Sequence, residues 1–201
     1  MVDAYFFYLK SIMKSVCVYL GANFGYAIKL VNVAEELGKE LANRGLRLIY
    51  GGSSLGLMGK LAQSTIIHGG EVTGIIPQCL IEKEKPLTNL TKLIITETMQ
   101  QRKLLMQEHA DIFIVMPGGL GTLEEAIETW NAAKIGMVNK VIGFLNLDGY
   151  FDILFAFMRH CEQQGFLSPS QRRIPLVESD IKILLNTLLK SSENEAPTMA
   201  V

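Results

Sequence analysis

The densest chemical signal in the chain is one uninterrupted run, Pro117-Gly118-Gly119-Leu120-Gly121-Thr122-Leu123-Glu124-Glu125. Three glycines in four positions, set between the apolar run Ile112–Met116 and a helix start, leave backbone amides bare. Free amides at a helix N-terminus, with the partial positive charge there, favour an anion, and a phosphomonoester fits such a cradle. Thr122 can add a hydroxyl to the same anion. Glu125 has two readings. Thr122 and Glu125 stand at the spacing of a capping box, which would make the carboxylate a helix cap. Alternatively, a carboxylate within one turn of a bound phosphate lies near a ribose. There it can bind hydroxyls, stabilise positive charge at the anomeric carbon or activate water.

Two further segments carry polar or glycine signals. Gly51-Gly52-Ser53-Ser54-Leu55-Gly56-Leu57-Met58-Gly59 is a second glycine-rich strand-to-helix turn. It is not a P-loop, because Ser54 and Leu61 stand where a glycine and a Ser or Thr would be needed. Tight strand–helix packing and ligand binding both account for it. Met99-Gln100-Gln101-Arg102-Lys103 opens another helix, and its adjacent cations suit either a phosphate, a carboxylate partner or a solvated face. His68, His109 and His160 are scattered and form no metal-ligand spacing, so neither a metal nor a cofactor is expected.

The elements that must position these groups alternate strand and helix. Apolar strand runs are expected at Val16–Leu20, Leu46–Tyr50, Val72–Ile76, Lys92–Thr96, Ile112–Met116, Val141–Leu145 and Ile174–Val177. Helices are expected over 26–44, from the second glycine turn to His68, over Met99–His109, to Gly136, over 150–164, and from Ser179 as N-cap to Leu189. Residues 78–91 read as a surface loop. This alternation implies an α/β fold of one domain, a Rossmann-like doubly wound parallel sheet, with ligands outside the carboxyl ends of the strands.

Composition bounds the rest. A chain of 201 residues with 49% hydrophobic content can bury one sizeable core. Its net charge of −1 gives no electrostatic case for nucleic acid. Cys17, Cys79 and Cys161 are odd in number and lack a CxxC pair, which favours reduced thiols and a cytoplasmic setting. The aromatic stretch 1–12, with Tyr5, Phe6, Phe7 and Tyr8, is too short to span a bilayer, and no membrane association is expected. It reads as an N-terminal extension before a domain at 13–190. Residues 191–201 read as a disordered tail.

Pro117 to Glu125 matches the PGGxGTxxE signature at every fixed position. Together with GGSSLGLMG, the Arg102-Lys103 pair and Leu145-Asn146-Leu147-Asp148-Gly149-Tyr150, it resembles the LONELY GUY (LOG) family, often called lysine decarboxylase-like. The resemblance runs from about Met13 to Leu189. It implies a homodimer with its active site near the subunit boundary and a nucleoside 5′-monophosphate as substrate. The activity it implies is hydrolysis of the N-glycosidic bond to free base and ribose 5-phosphate. By the same resemblance, Arg102 and Glu125 are catalytic, and Gly118, Gly119, Gly121 and Thr122 hold the phosphate. Glu84, Met99, Lys103 and Glu124 take further substrate-binding positions.

Three departures bear on substrate preference. Leu20-Gly21-Ala22-Asn23 stands where the family commonly has CGSS, Met99-Gln100 where it has Met-His, and Asn131 where Thr is common. They leave AMP and isoprenylated adenine nucleotides both open. The same glycine turns would also serve a non-catalytic nucleotide-binding or carrier protein. True lysine decarboxylation would need a pyridoxal phosphate lysine, and no lysine here has that context.

Overall fold

The computed structural model describes residues 13–26 and 28–194. The expected N-terminal extension, 1–12, lies outside them, as do residues 195–201 of the expected tail.

Seven parallel strands form one sheet: β1 (Ser15–Tyr19), β2 (Arg47–Tyr50), β3 (Val72–Pro77), β4 (Lys92–Thr96), β5 (Ile112–Val115), β6 (Val141–Leu145) and β7 (Leu176–Glu178). Their order is β4-β3-β2-β1-β5-β6-β7. The chain therefore winds outward from β1 in one direction, then returns to β5 on β1's other side. Val16 pairs with Leu48 of β2 and with Ile112 of β5, which fixes the register at this seam.

Helices cover both faces, as parallel crossovers require. They are α1 (Ile28–Asn43), α2 (Gly56–Ile67), α3 (Ile81–Glu84), α4 (Met99–His109), α5 (Leu120–Lys134), α6 (Asp152–Gln163), α7 (Pro169–Arg172) and α8 (Ile181–Asn194). The two-residue period of β1 divides its side chains between the layers. Val16 and Val18 pack with Leu37 and Leu41 of α1, Leu61 of α2 and Leu184 of α8. Cys17 and Tyr19 face Met106 of α4, Ala126 and Trp130 of α5, and Phe151 and Phe155 at the start of α6. Gly38 lets α1 and α2 approach closely. A methyl group added there would lie 2.6 Å from the Leu61 carbonyl oxygen.

Four expectations change. Residues 78–91 are not all loop: Gln78–Leu80 form a 3-10 turn and α3 follows. An element of one turn is too short to show a helical period. α7 was likewise not anticipated, although Ser168 and Gln171 form its capping box. The last strand is displaced toward Glu178, and Ile174 instead packs on the second core cluster. The last helix begins at Ile181 with Asp180, not Ser179, accepting from the Lys182 and Ile183 amides, and it runs through 191–194 to Asn194. Among the described residues no helix is long and apolar enough to cross a membrane.

Candidate active site

The strand order reverses between β1 and β5, and a crevice opens beyond the carboxyl ends of those two strands. The cleft there has a volume of about 720 Å³. Residues 20–26 after β1 form one wall and Pro117–Thr122 after β5 the other, so the fold places the strongest sequence signal where such folds bind ligands.

α5 starts at Leu120 with Gly119 as N-cap, in extended backbone and without a side-chain cap. The first bond of the helix runs from the Leu123 amide to the Gly119 carbonyl. The amides ahead of Leu123 are those that a helix start leaves without intrahelical partners. A Cβ at Gly119 or Gly121 would meet nothing within 4 Å, so these positions leave the backbone open to a ligand. Gly118 differs. A Cβ there would stand 2.1 Å from Thr122 Oγ1 and 2.9 Å from the Gly21 amide nitrogen, so glycine is what lets the turns after β1 and β5 meet.

The capping-box reading of Thr122 and Glu125 does not hold. Thr122 lies inside the helix, buried against Gly118, because the ladder begins at Gly119. Glu125 is one turn further on, 8% exposed, with Oε1 3.5 Å from Nη2 of the buried Arg102. Burial pushes the Glu125 carboxyl up to about 7. Arg102 pulls it back, Glu124 raises it, Lys103 lowers it and Glu84 raises it, in falling order of effect.

Arg102 is presented by α4, whose N-cap Thr98 accepts from the Gln101 amide. Its Nη1 lies 3.8 Å from Met99 Sδ, and its Nε has no hydrogen-bond partner. The turn after β2 makes room for it. A Cβ on Gly51 would lie 2.0 Å from Arg102 Nη2. Gly56, at φ +55°, admits the Ala22 carbonyl in the same way, with its Cβ position 2.2 Å from that oxygen. The glycines of this turn therefore serve packing, while Leu57 and Met58 face the cleft.

Glu84, Met99, Glu124 and the residues Gly118 to Thr122 all line the cleft with Arg102 and Glu125. Glu84 Oε2 is buried without a partner. Its backbone carbonyl accepts from the hydroxyls of Ser53 at 3.3 Å and Ser54 at 3.2 Å and from the Ser54 amide at 3.1 Å. Lys103 is the exception. It does not line the cleft but binds Glu124 Oε1 at 2.8 Å and Glu128 Oε2 at 3.0 Å, bonds that raise its pKa. It reaches the site through Glu124.

Sequence reasoning missed the apolar wall formed by Leu20, Phe24, Leu30 and Leu80 beside Leu57 and Met58, and it gave no chemistry to Tyr150 at the rim. It also missed a buried anchor behind the site. Tyr19 Oη and Thr129 Oγ1 lie 2.9 Å apart, and Gln107 Nε2 donates to Thr129 Oγ1 at 3.2 Å, tying α5 to β1 and α4 one turn beyond Glu125. Among the described residues no group of His, Cys, Asp or Glu is placed to hold a metal ion.

Known proteins resemble this chain along most of its length. The family model described as "Possible lysine decarboxylase" matches residues 58–188. The cytokinin riboside 5′-monophosphate phosphoribohydrolase LOG5 of Arabidopsis thaliana is 41% identical over 90% of this chain and 79% of its own length. LOG1 of the same plant, with the same description, is 37% identical over 90% of this chain and 84% of its own length. Among solved structures, the molybdenum cofactor carrier protein of Chlamydomonas reinhardtii superposes with a TM-score of 0.66. It covers 90% of this chain and 99% of its own, and its 18% identity shows a shared fold alone. The signature turn, the paired Arg102 and Glu125 in one cleft and relatives of this similarity agree, and the chain belongs to the LOG family.

Proposed function

We propose that the chain hydrolyses the N-glycosidic bond of a purine nucleoside 5′-monophosphate, with adenine or an N6-modified adenine as base, releasing free base and ribose 5-phosphate. The observation that carries this reading is the buried Arg102–Glu125 pair one turn beyond the bare amides that open α5, all in a single cleft. The activity named for the Arabidopsis relatives supports it.

In this reading the 5′-phosphate rests on the start of α5, and its binding energy holds the anomeric carbon near Glu125. As the C1′–N9 bond weakens, positive charge grows on the ribose, and the Glu125 carboxylate stabilises it. A water oxygen bonds to C1′ and its proton passes to Glu125, while the base leaves with the bonding pair and takes a proton from solvent, to which Glu125 then releases its own. Arg102 favours the ionised form of Glu125. The cleft lining holds no lysine among the described residues, so the amine that a pyridoxal-type decarboxylation needs has no candidate there.

The apolar wall of Phe24, Leu30, Leu57 and Leu80 gives an N6 substituent a surface to bury. We also propose a homodimer, as the family resemblance implies, and a cytoplasmic setting, in keeping with Cys17, Cys79 and Cys161 all being free.

The test is a product assay by chromatography and mass detection, with AMP and isopentenyladenosine 5′-monophosphate offered separately. Free base with ribose 5-phosphate is the expected result, and the ratio of rates names the preferred base. Nucleotide that binds but stays intact would instead make the protein a carrier. The pH dependence is a second check. With Glu125 titrating at about 7 and acting as a carboxylate, kcat/KM should rise through neutral pH and level off above it. A profile that falls through the same range would assign Glu125 the role of proton donor.

A further inference from the structure

The stretch Leu145-Asn146-Leu147-Asp148-Gly149-Tyr150 takes no part in the reading above, yet hydrogen bonds fix it at both ends. Asn146 Oδ1 accepts from the Phe151 amide at 2.7 Å, Asn146 Nδ2 donates to Asp152 Oδ1 at 2.7 Å, and the Asn146 amide donates to the Glu178 carbonyl at 2.8 Å. Asp148 and Gly149 both take left-handed backbone, at φ 51° and 75°. Aspartate is one of the few non-glycine residues that enter this region readily, and Lys29 Nζ binds its Oδ1 at 2.6 Å. Phe151 plugs the turn into the core, its ring 5.1 Å from Phe144 and edge-on to it. All of this delivers one group to the cleft rim: the Tyr150 hydroxyl, which donates to the Gly118 carbonyl at 2.8 Å.

We infer that Tyr150 is a positioning residue for the phosphate cradle; the inference rests on the reading of that cradle given above. Tyr150 Oη holds the Gly118 carbonyl, and Thr122 Oγ1 and the Gly21 amide nitrogen close the space that a Cβ at Gly118 would need. No cis peptide bond occurs among the described residues, so fixing the Gly118 carbonyl also fixes the opposed Gly119 amide and the entry into α5. The hydroxyl has an electrostatic effect as well. A bare carbonyl lone pair beside a phosphate repels it, and a donated O–H withdraws that negative end from the cradle. Tyr150 itself lines the cleft, so its hydrogen bond lies where an anion would be felt.

Tyr150→Phe keeps the ring and its edge-on contact with Phe151 and removes only the donor. Ribose 5-phosphate and adenosine would each be titrated calorimetrically into wild type and variant, and KM and kcat measured with a nucleoside 5′-monophosphate. We expect ribose 5-phosphate to bind roughly three- to tenfold more weakly to the variant, the scale of one hydrogen bond. KM should rise by a similar factor with kcat unchanged, and adenosine should bind both proteins alike. Equal affinity of the two proteins for ribose 5-phosphate would overturn the inference, as would a loss shared by adenosine. Wild type that ignores ribose 5-phosphate would overturn the cradle and Tyr150's role together. Intact ribose 5-phosphate binding without base release would strike only at the hydrolase reading.

Discussion

Glu125→Gln is expected to fold normally and to lose roughly two to four orders of magnitude in base release, the scale of a positioned acid–base group. The amide fits the same buried space and still accepts from Arg102, but it carries no charge to offset the oxocarbenium-like ribose and takes no proton from water. The same variant makes an opposite prediction for stability. In the native protein the Glu125 carboxyl titrates at about 7, above the ordinary 4.5. Its folded pKa is raised, so its favourable contribution is complete below 4.5 and is lost as pH rises through 7. The neutral amide escapes that loss. Thermal melts should therefore show the variant more stable than wild type by several degrees at pH 8, on the order of 2–8 °C. The two should converge as pH falls toward 4.5. A folded variant with near-normal turnover would remove Glu125 from the chemistry, and identical melting at both ends of the range would remove the burial argument.

Arg102→Met should cost about two to three orders of magnitude at neutral pH, comparable with removal of a preorganised charge-stabilising donor. The reason is indirect. The guanidinium is the largest influence opposing the burial of Glu125, and without it the carboxyl shifts further upward. The rising limb of the pH profile should move to higher pH along with the loss of rate, a readout that simple misfolding would not produce. Gly51→Ala offers an independent route to the same state. Its methyl would occupy space 2.0 Å from Arg102 Nη2 and 3.1 Å from Met58 Sδ, so the guanidinium must move although Arg102 itself is kept. An alanine variant with wild-type activity and an unshifted profile would show that the exact seat of Arg102 is unimportant.

Much of the architecture was legible because punctuation and periodicity agreed. β4 and β6 occupy their expected spans as short apolar runs, and α4 occupies its own although its apolar pattern is weak. The chemistry-bearing turn was legible for a different reason: three glycines in four positions stand directly ahead of a helix start that carries Thr122 and Glu125. What stayed hidden depends on distance through space. Thr122 and Glu125 have the spacing of a cap, and only the position of the first helical hydrogen bond, Leu123 to Gly119, shows that they are not one. Lys103 adjoins Arg102 in sequence, yet one residue of rotation on α4 turns it from the cleft toward Glu124 and Glu128. The hydroxyls of Ser53 and Ser54 spend their hydrogen bonds on the carbonyl of Glu84. That coupling between segments thirty residues apart leaves no trace in local pattern.

The reversal of strand order at the seam between β1 and β5 has a consequence for how the molecule matures. The guanidinium arrives on α4, the last helix before the chain turns back, and the carboxylate on α5, the first helix of the returning half. Neither half owns a complete site. Until α5 packs against the sheet, Arg102 lacks the Glu125 counter-charge that it has in the fold. Base release thus reports on union of the halves, since each contributes one member of the Arg102–Glu125 pair.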